Sequence, residues 1–128
     1  MRVLLDTHAF LWLVTDDPRV SQAAREIFLD AENVIFLSGV SGLEIAVKYS
    51  LGKLKLAAPP REFIEARIAN NDLLPLPVAL AHTYRLAHLP FHHRDPFDRL
   101  LVSQAMEEDL PIVTSDAALG AYDVETMW

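Results

Sequence analysis

Acids and bases crowd together in the segment from His92 to Arg99, which holds two Asp, two His and two Arg in eight positions. Asp95 and Asp98 are three positions apart, so in a helix both carboxylates lie on one side of the first turn. Pro96 is typical of a first helical position, and Asp95 before it is a good helix cap. Because a surface loop needs no such density of charge, we expect other parts of the chain to converge on this segment.

Three further acids stand where strands would deliver them to one edge of a sheet. Asp6 follows the apolar run 3–5, and Asp116 follows the apolar run 111–114. Glu44 lies early in the helix predicted after the second strand. In a parallel sheet the functional crevice lies beyond the carboxyl ends of the strands. The acids of four separate segments are therefore expected to meet at one rim.

Several ionised carboxylates in one pocket repel each other and raise each other's pKa. A divalent cation removes that repulsion, and ligation by oxygen alone favours a hard ion such as Mg²⁺ or Mn²⁺. Such an ion activates a water molecule and neutralises a phosphate oxygen. The pattern therefore indicates metal-dependent hydrolysis of a phosphate ester.

Each of these acids also has a simpler interpretation, which the sequence leaves open. Asp6, Asp95 and Asp116 each stand where a helix cap is needed. Glu44 is four positions from Lys48, the spacing of an ion pair along a helix. Only the combination of acids at one predicted rim favours the metal site.

The elements that must position these acids alternate between strands and helices, which predicts an α/β fold with a central, mainly parallel sheet flanked by helices on both faces. Strands are predicted at 3–5, 34–37, 73–76, 111–114 and 124–127. Helices are predicted at 7–14, 21–31, 40–50, 60–69, 78–87 and 96–108, with a short one after Asp116. The inward-facing stripe of the third helix is predicted to be Val40, Leu43, Val47 and Leu51, and that of the fifth Leu80, Tyr84 and Ala87.

The composition fits one globular domain over residues 1–128, with 52% hydrophobic and 23% charged residues. No apolar run has the roughly 18 residues of a membrane span, and the first residues lack the pattern of a signal peptide. The absence of cysteine fits a reducing compartment. We therefore expect a cytoplasmic protein with no membrane partner. The net charge of −7 argues mildly against nucleic acid, but Lys48, Lys53, Lys55 and Arg61 lie in a stretch with no acid between them.

Five motifs, taken in order, resemble the PIN-domain ribonucleases, and in particular the VapC-type toxins of toxin–antitoxin pairs. They are Leu-Leu-Asp-Thr-His-Ala at 4–9, Ser-Gly-Leu-Glu-Ile-Ala-Val-Lys at 41–48, Leu-Gly-Lys-Leu at 51–54, His-His-Arg-Asp-Pro-Phe-Asp-Arg-Leu-Leu at 92–101 and Val-Thr-Ser-Asp at 113–116. The resemblance covers nearly the whole chain. One departure is Gly42-Leu43, where this subgroup often has a bulky aromatic residue before the Glu.

The resemblance implies a PIN-like fold and endonucleolytic cleavage of RNA that depends on Mg²⁺ or Mn²⁺. It implies that the catalytic, metal-binding acids are Asp6, Glu44, Asp98 and Asp116. Asp98 takes the third place because it precedes the helical run Leu-Leu-Val-Ser-Gln-Ala, as the family's third acid does. It also implies a homodimer that is inhibited by a small cognate antitoxin, which we expect near the helices at 21–31 and 60–69.

The remaining site residues are assigned supporting roles. Thr7 and Thr114 are candidates for orienting a water or a phosphate oxygen, and Asp95 is a supporting acid or a cap. The candidates for contact with the RNA backbone are Arg94, Arg99, Lys48, Lys53 and Lys55.

Two other classes of enzyme or signalling domain fit less well. A haloacid-dehalogenase-like, Mg²⁺-dependent phosphatase needs a second Asp two residues after Asp6, where His8 stands. A receiver domain needs a late Lys after a strand, but the last Lys is Lys55. A catalytically weak PIN-fold module that binds RNA or protein is the third alternative, and the presence of all four acids argues against it.

Overall fold

A computed structural model describes all 128 residues of the chain. Five strands, six helices and one 3₁₀ helix follow one another as expected for an α/β protein. The elements are β1 (Arg2–Leu5), α1 (Thr7–Val14), α2 (Gln22–Leu29), β2 (Val34–Ser38), α3 (Gly39–Ser50), α4 (Pro60–Asn71), β3 (Leu74–Leu76), α5 (Leu80–Leu86), α6 (Pro96–Glu108), β4 (Ile112–Val113), the 3₁₀ helix (Ala117–Ala121) and β5 (Thr126–Met127). None of these helices has the length and apolar character needed to cross a membrane.

All five strands are parallel, in the order β3-β2-β1-β4-β5. Leu5, the last residue of β1, pairs with Leu37 in β2 and with Val113 in β4. The residues that come after these strands therefore emerge side by side at one edge. The predicted parallel sheet is confirmed, and the carboxyl ends of its strands form the rim at which we expect the acids.

β1 is buried on both faces because its side chains alternate between two hydrophobic cores. Val3 and Leu5 pack with Phe10 of α1 on one face. Leu4 packs with Leu101 of α6 on the other face. The side chains of Val3, Leu4 and Leu5 are fully buried, so helices cover both faces of the sheet, as predicted.

The predicted inward face of α3 is only partly right, because Val40 is buried but Leu43 and Leu51 are not. Leu43 and Leu51 are 53% and 61% exposed, whereas Glu44 and Ile45 are buried. The helix is turned so that Ile45 reaches the core while the acid lies at the rim, where Lys48 pairs with it. The prediction failed at Leu43 and Leu51 because the buried face of α3 includes Glu44, whose charge Lys48 balances. Apolar periodicity does not place an acid on a buried face.

The predicted inward face of α5 is also wrong, and the helix begins at Leu80 rather than at Val78. Leu80 and Tyr84 are 68% and 65% exposed, while His82 is 1% exposed. The imidazole accepts the Ala79 N–H at Nδ1, and its Nε2 lies 2.9 Å from a carboxylate oxygen of Glu108. With both nitrogens partnered, a histidine takes the buried face that the apolar pattern assigns to Leu80 and Tyr84.

Candidate metal and RNA site

Asp6 lies where β1 passes into α1, and it serves both elements. Its Oδ1 accepts the Ala9 N–H at 2.6 Å and caps α1. Its Oδ2 accepts the hydroxyl of Thr114, which follows β4. Burial raises the pKa of Asp6, although both hydrogen bonds act in the opposite direction. The capping interpretation and the convergence interpretation are therefore both correct for this residue.

α3 brings Glu44 to the same rim. Thr7, at the start of α1, donates its hydroxyl to Ser41 of α3 at 3.0 Å, which joins the two helices beside the site. The Glu44 residue is 3% exposed, and its Oε2 receives the ammonium group of Lys48. This hydrogen bond raises the pKa of Lys48. The ion pair that the sequence left open is formed, and it lies within the predicted acidic site.

Asp95 and Asp98 divide their tasks at the start of α6. Asp95 Oδ1 accepts the N–H groups of Phe97 at 2.8 Å and Asp98 at 3.4 Å, which confirms the predicted cap. The Asp98 carboxylate accepts no hydrogen bond from its own helix. It lies near Asp116, in the loop after β4, with 23% of its side chain exposed. Asp98 is therefore the acid that α6 supplies to the rim.

Asp116 enters the site from the loop after β4. Its Oδ1 accepts the Ala118 N–H at 2.9 Å and caps the 3₁₀ helix, and its own N–H donates to the hydroxyl of Thr114 at 3.0 Å. Its Oδ2 lies 3.1 Å from His93 Nε2, and the same nitrogen is 3.3 Å from Asp98 Oδ2. One potential ligand atom from each of these three side chains falls within 4.8 Å of the others.

The acids are close enough to perturb one another. Burial raises the pKa of Asp98 to about 7, and repulsion from Asp95, Glu44 and Asp6 adds to that rise. Repulsion from Asp116 likewise adds to the raised pKa of Asp6. The structure therefore brings together the acids of all four predicted segments in one electrostatically coupled group.

A cleft of about 510 Å³ begins beside Glu44 and runs between α1, α3, α4 and the segment that joins α3 to α4. Lys48, Lys53 and Lys55 line it, so we call it the basic cleft. Its apolar wall includes Trp12, Leu54, Leu56 and Phe63. Arg94 lies elsewhere, exposed to solvent on the loop before α6, and its side chain makes no hydrogen bond.

The expectation that Arg99 contacts RNA is wrong. The residue is 6% exposed, and its guanidinium donates to the carbonyl oxygens of Pro90 at 2.7 Å and Leu89 at 3.1 Å. It also donates to the Tyr122 hydroxyl at 3.2 Å, and Phe91 covers it with the ring centroid 4.0 Å from the guanidinium carbon. The guanidinium of Arg99 therefore holds the loop before α6 in place, and it is not directed toward a ligand.

Two residues of the site were not assigned from the sequence. The His93 ring contacts two of the acids, and the Tyr122 hydroxyl accepts the backbone N–H of His93 at 2.9 Å. The available signal for His93 was its place in the charged segment before α6. Nothing in the pattern distinguished it from the adjacent His92, and nothing linked Tyr122 to a loop 29 positions away.

The sequence of the chain is similar to a known protein family and to named relatives. The model of the PIN domain family matches residues 3–125. Ribonuclease VapC22 of Mycobacterium tuberculosis is 26% identical over 120 residues, which cover 94% of this chain and 91% of that protein. Ribonuclease VapC16 of the same organism is 41% identical over 59 residues, which cover 46% of this chain and only 42% of that protein.

Solved structures share the fold. VapBC2 from Rickettsia felis, bound to a DNA fragment from its promoter, has a TM-score of 0.74 at 16% identity over 99% of this chain and 98% of that chain. FitAcB from Neisseria gonorrhoeae has a TM-score of 0.65 at 18% identity over 100% of this chain and 97% of that chain. The arrangement of helices and strands is therefore one that other proteins adopt with very different sequences.

Proposed function

The chain belongs to the PIN domain family, and on that premise we propose that it is a divalent-metal-dependent endoribonuclease, the toxin of a toxin–antitoxin pair, with residues 1–128 acting as one PIN domain. The observation that carries this proposal is the convergence of acids beyond the carboxyl ends of β1 and β4. The relatives named Ribonuclease VapC and the VapBC structures support the ribonuclease and the toxin assignment.

The donor set fits a hard divalent cation. Its ligands would be the carboxylates of Asp6, Glu44, Asp98 and Asp116, which offer only oxygen and so favour Mg²⁺ or Mn²⁺. Burial raises the pKa of Asp98 to about 7, and repulsion from neighbouring acids adds to the rise, so a bound cation would relieve part of the cost of its charge. Each carboxylate oxygen has two lone pairs, so the oxygens of Asp6 and Asp116 that accept hydrogen bonds can still take part.

When bound, such an ion supplies an activated water and neutralises an oxygen of the scissile phosphate. The protein's own side chains orient the acids around it. Thr114 joins Asp6 to the backbone of Asp116 through one hydroxyl group. Lys48 lies close enough to Asp98 for attraction between their charges, so its ammonium group is a candidate to contact a phosphate at the site.

The basic cleft is the proposed path of the RNA away from the reaction centre. It is lined by Glu44 and by Lys48, Lys53 and Lys55, so phosphates of a single strand would meet positive charges there. Arg94, exposed on the loop before α6, is a separate candidate for contact with the RNA backbone. These cations are local exceptions to the formal net charge of −7.

We propose that the partners are a small cognate antitoxin and a second copy of the chain. Antitoxin contact is expected near α2 and α4, where Leu29 is 71% exposed. Leu80 and Tyr84 project from one face of α5 and offer an apolar surface of the kind that a homodimer covers.

Cleavage of a mixed pool of single-stranded RNA by the purified protein tests the activity. Mg²⁺ or Mn²⁺ should permit cleavage, and a chelator should abolish it. Asp6→Asn should reduce the rate by at least about a hundredfold, because it removes charge from the proposed metal site. Asp123→Asn, an exposed acid with no side-chain hydrogen bond, is the matched control. Equal cleavage by wild type and Asp6→Asn, or cleavage that persists in chelator, would contradict the proposal.

Expression in bacteria tests the toxin assignment separately. The wild-type protein should stop growth, Asp6→Asn should not, and co-expression of the neighbouring antitoxin gene should restore growth. If an active wild-type enzyme were harmless at the same level of expression, the toxin assignment would fail and the nuclease assignment would remain.

A further inference from the structure

His93 contacts the acidic site but has no role in the function proposed above. We infer that His93 is a positioning residue, which holds the carboxylate of Asp116 through an Nε2–H donor beside the carboxylate of Asp98 and does not ligate the metal ion. The part of this inference that concerns the metal rests on the proposed function. The part that concerns the hydrogen bond rests on geometry alone.

The backbone decides which nitrogen of His93 carries the proton. The Asp95 N–H points at His93 Nδ1 from 3.1 Å. A backbone N–H only donates, so Nδ1 must be the acceptor and bears no hydrogen. The ring proton of the neutral imidazole is therefore on Nε2.

That Nε2–H faces two carboxylates. It donates to Asp116 Oδ2 at 3.1 Å, and Asp98 Oδ2 lies 3.3 Å from the same nitrogen. A nitrogen that carries a proton has no lone pair in the ring plane to offer a metal ion. The proximity of His93, Asp98 and Asp116 thus looks like a three-ligand metal site, but only the two carboxylates in it are ligands.

The backbone of His93 is also held in place. Its backbone N–H donates to the buried hydroxyl of Tyr122 at 2.9 Å. The side chain is 19% exposed, so packing restricts its rotation. His93 consequently connects the start of α6, the loop after β4 and the end of the 3₁₀ helix at the point where two of the acids meet.

The consequence for the site is geometric. Asp98 and Asp116 belong to separate segments and repel each other. The Nε2–H of His93 offsets this repulsion, because it donates to Asp116 Oδ2 and its nitrogen lies 3.3 Å from Asp98 Oδ2. Asp98 Oδ1 accepts no hydrogen bond from the protein. His93 therefore sets the spacing at which these acids receive a cation.

The first test needs no metal. Nitrogen NMR of the histidine rings in the metal-free protein, at a pH where imidazole is neutral, should show His93 with Nε2 protonated and Nδ1 bare. The signal is assigned by its absence from His93→Gln. A ring with the proton on Nδ1, or one that exchanges between the two tautomers, would overturn the inference.

The second test measures Mn²⁺ binding from the electron paramagnetic resonance signal of the free ion. His93→Ala should bind Mn²⁺ about 10–100-fold more weakly, the usual effect of losing a group that orients metal ligands. His93→Gln should recover most of the affinity, because its amide nitrogen reaches the place of Nε2. His93→Asn should not, because its amide reaches only as far as Nδ1. His88→Gln, on an exposed histidine without a side-chain hydrogen bond, should bind as wild type does.

Pulsed electron paramagnetic resonance distinguishes positioning from ligation. Wild type with bound Mn²⁺ should show no coupling to an imidazole nitrogen; a coupling that disappears in His93→Ala would make His93 a ligand and overturn the inference. Unchanged Mn²⁺ affinity in His93→Ala would overturn it as well. If wild type itself failed to bind Mn²⁺, the proposed metal dependence would fall, while the tautomer would still decide for or against the His93 donor.

Discussion

At the scale of single residues, the charge of Asp98 lowers the stability of the folded state, because its carboxylate is buried. Its pKa is raised from an ordinary 3.8 to about 7, chiefly by burial. Between these values the folded state binds a proton that the unfolded state has released. The free energy of unfolding must therefore fall as the pH rises from about 4 to about 7, with no further change from this group at higher pH.

We expect Asp98→Asn to remove that dependence. In metal-free buffer the variant should be more stable than wild type above neutral pH, by on the order of 2 kcal/mol, and the two should converge near pH 4. Urea titrations at a series of pH values measure this. Asp123→Asn is the control and should keep the wild-type slope. A parallel pH dependence in Asp98→Asn would show that the charge of Asp98 is well accommodated.

Asp95 should respond in the opposite way, because its carboxylate caps α6. Asp95→Ala should lose about 1 kcal/mol of stability and retain measurable RNA cleavage, whereas Asp95→Asn, which can still accept the N–H groups, should be close to wild type in stability. Thermal melts and a cleavage assay on both variants give the answer. Complete loss of cleavage in Asp95→Asn would place Asp95 among the catalytic acids.

At the scale of elements, the loop before α6 depends on a buried cation. Arg99 satisfies two loop carbonyls and the Tyr122 hydroxyl, so it links α6 to the segment that carries His93. Removing it leaves these buried acceptors without a donor, which costs about 1–3 kcal/mol for each group that water cannot reach.

Arg99→Ala should therefore unfold at a clearly lower urea concentration, with a loss of at least about 2 kcal/mol. Arg94→Ala is the matched comparison, since its side chain is exposed and unpaired. It should leave stability unchanged and weaken RNA binding. The interpretation of both arginines would be wrong if Arg99→Ala were as stable as wild type and impaired only in RNA binding.

The elements themselves were largely predictable from the sequence, but their rotation was not. Short apolar runs and cap residues predict β1, β2, α1 and α6 close to their observed bounds. Glu44 and His82 defeat the prediction of the buried faces of α3 and α5, because partners outside the apolar stripe satisfy these polar side chains. Apolar periodicity cannot reveal such partners.

The same limit applies to the site. Asp6 and Asp116 follow β1 and β4, so their place at the rim could be predicted from topology. His93, Tyr122 and the burial of Arg99 could not be predicted, because they depend on loop conformation.

At the scale of the whole molecule, the proposed metal site should make the stability of the fold sensitive to divalent cations. Millimolar Mn²⁺ or Mg²⁺ should raise the melting temperature, since a ligand at 100 times its Kd adds about 2.7 kcal/mol to the stability of the folded state. Asp6→Asn should melt higher than wild type without metal, because burial raises the Asp6 pKa and makes its charge costly, and it should gain less from the ion. A wild-type melting curve that ignores Mn²⁺ at concentrations that support cleavage would contradict the metal site.

The central place of β1 has a consequence for how the protein is made. β1 can pair with β2 soon after both have been synthesised, but its other neighbour, β4, begins only at Ile112. Asp6 meets Thr114 across 108 positions of sequence, a long-range closure of the kind that forms late in folding. A nascent chain still lacking β4 therefore carries its acids on unconnected segments. The acidic rim is consequently incomplete until residues 112–116 have been synthesised and have paired with β1.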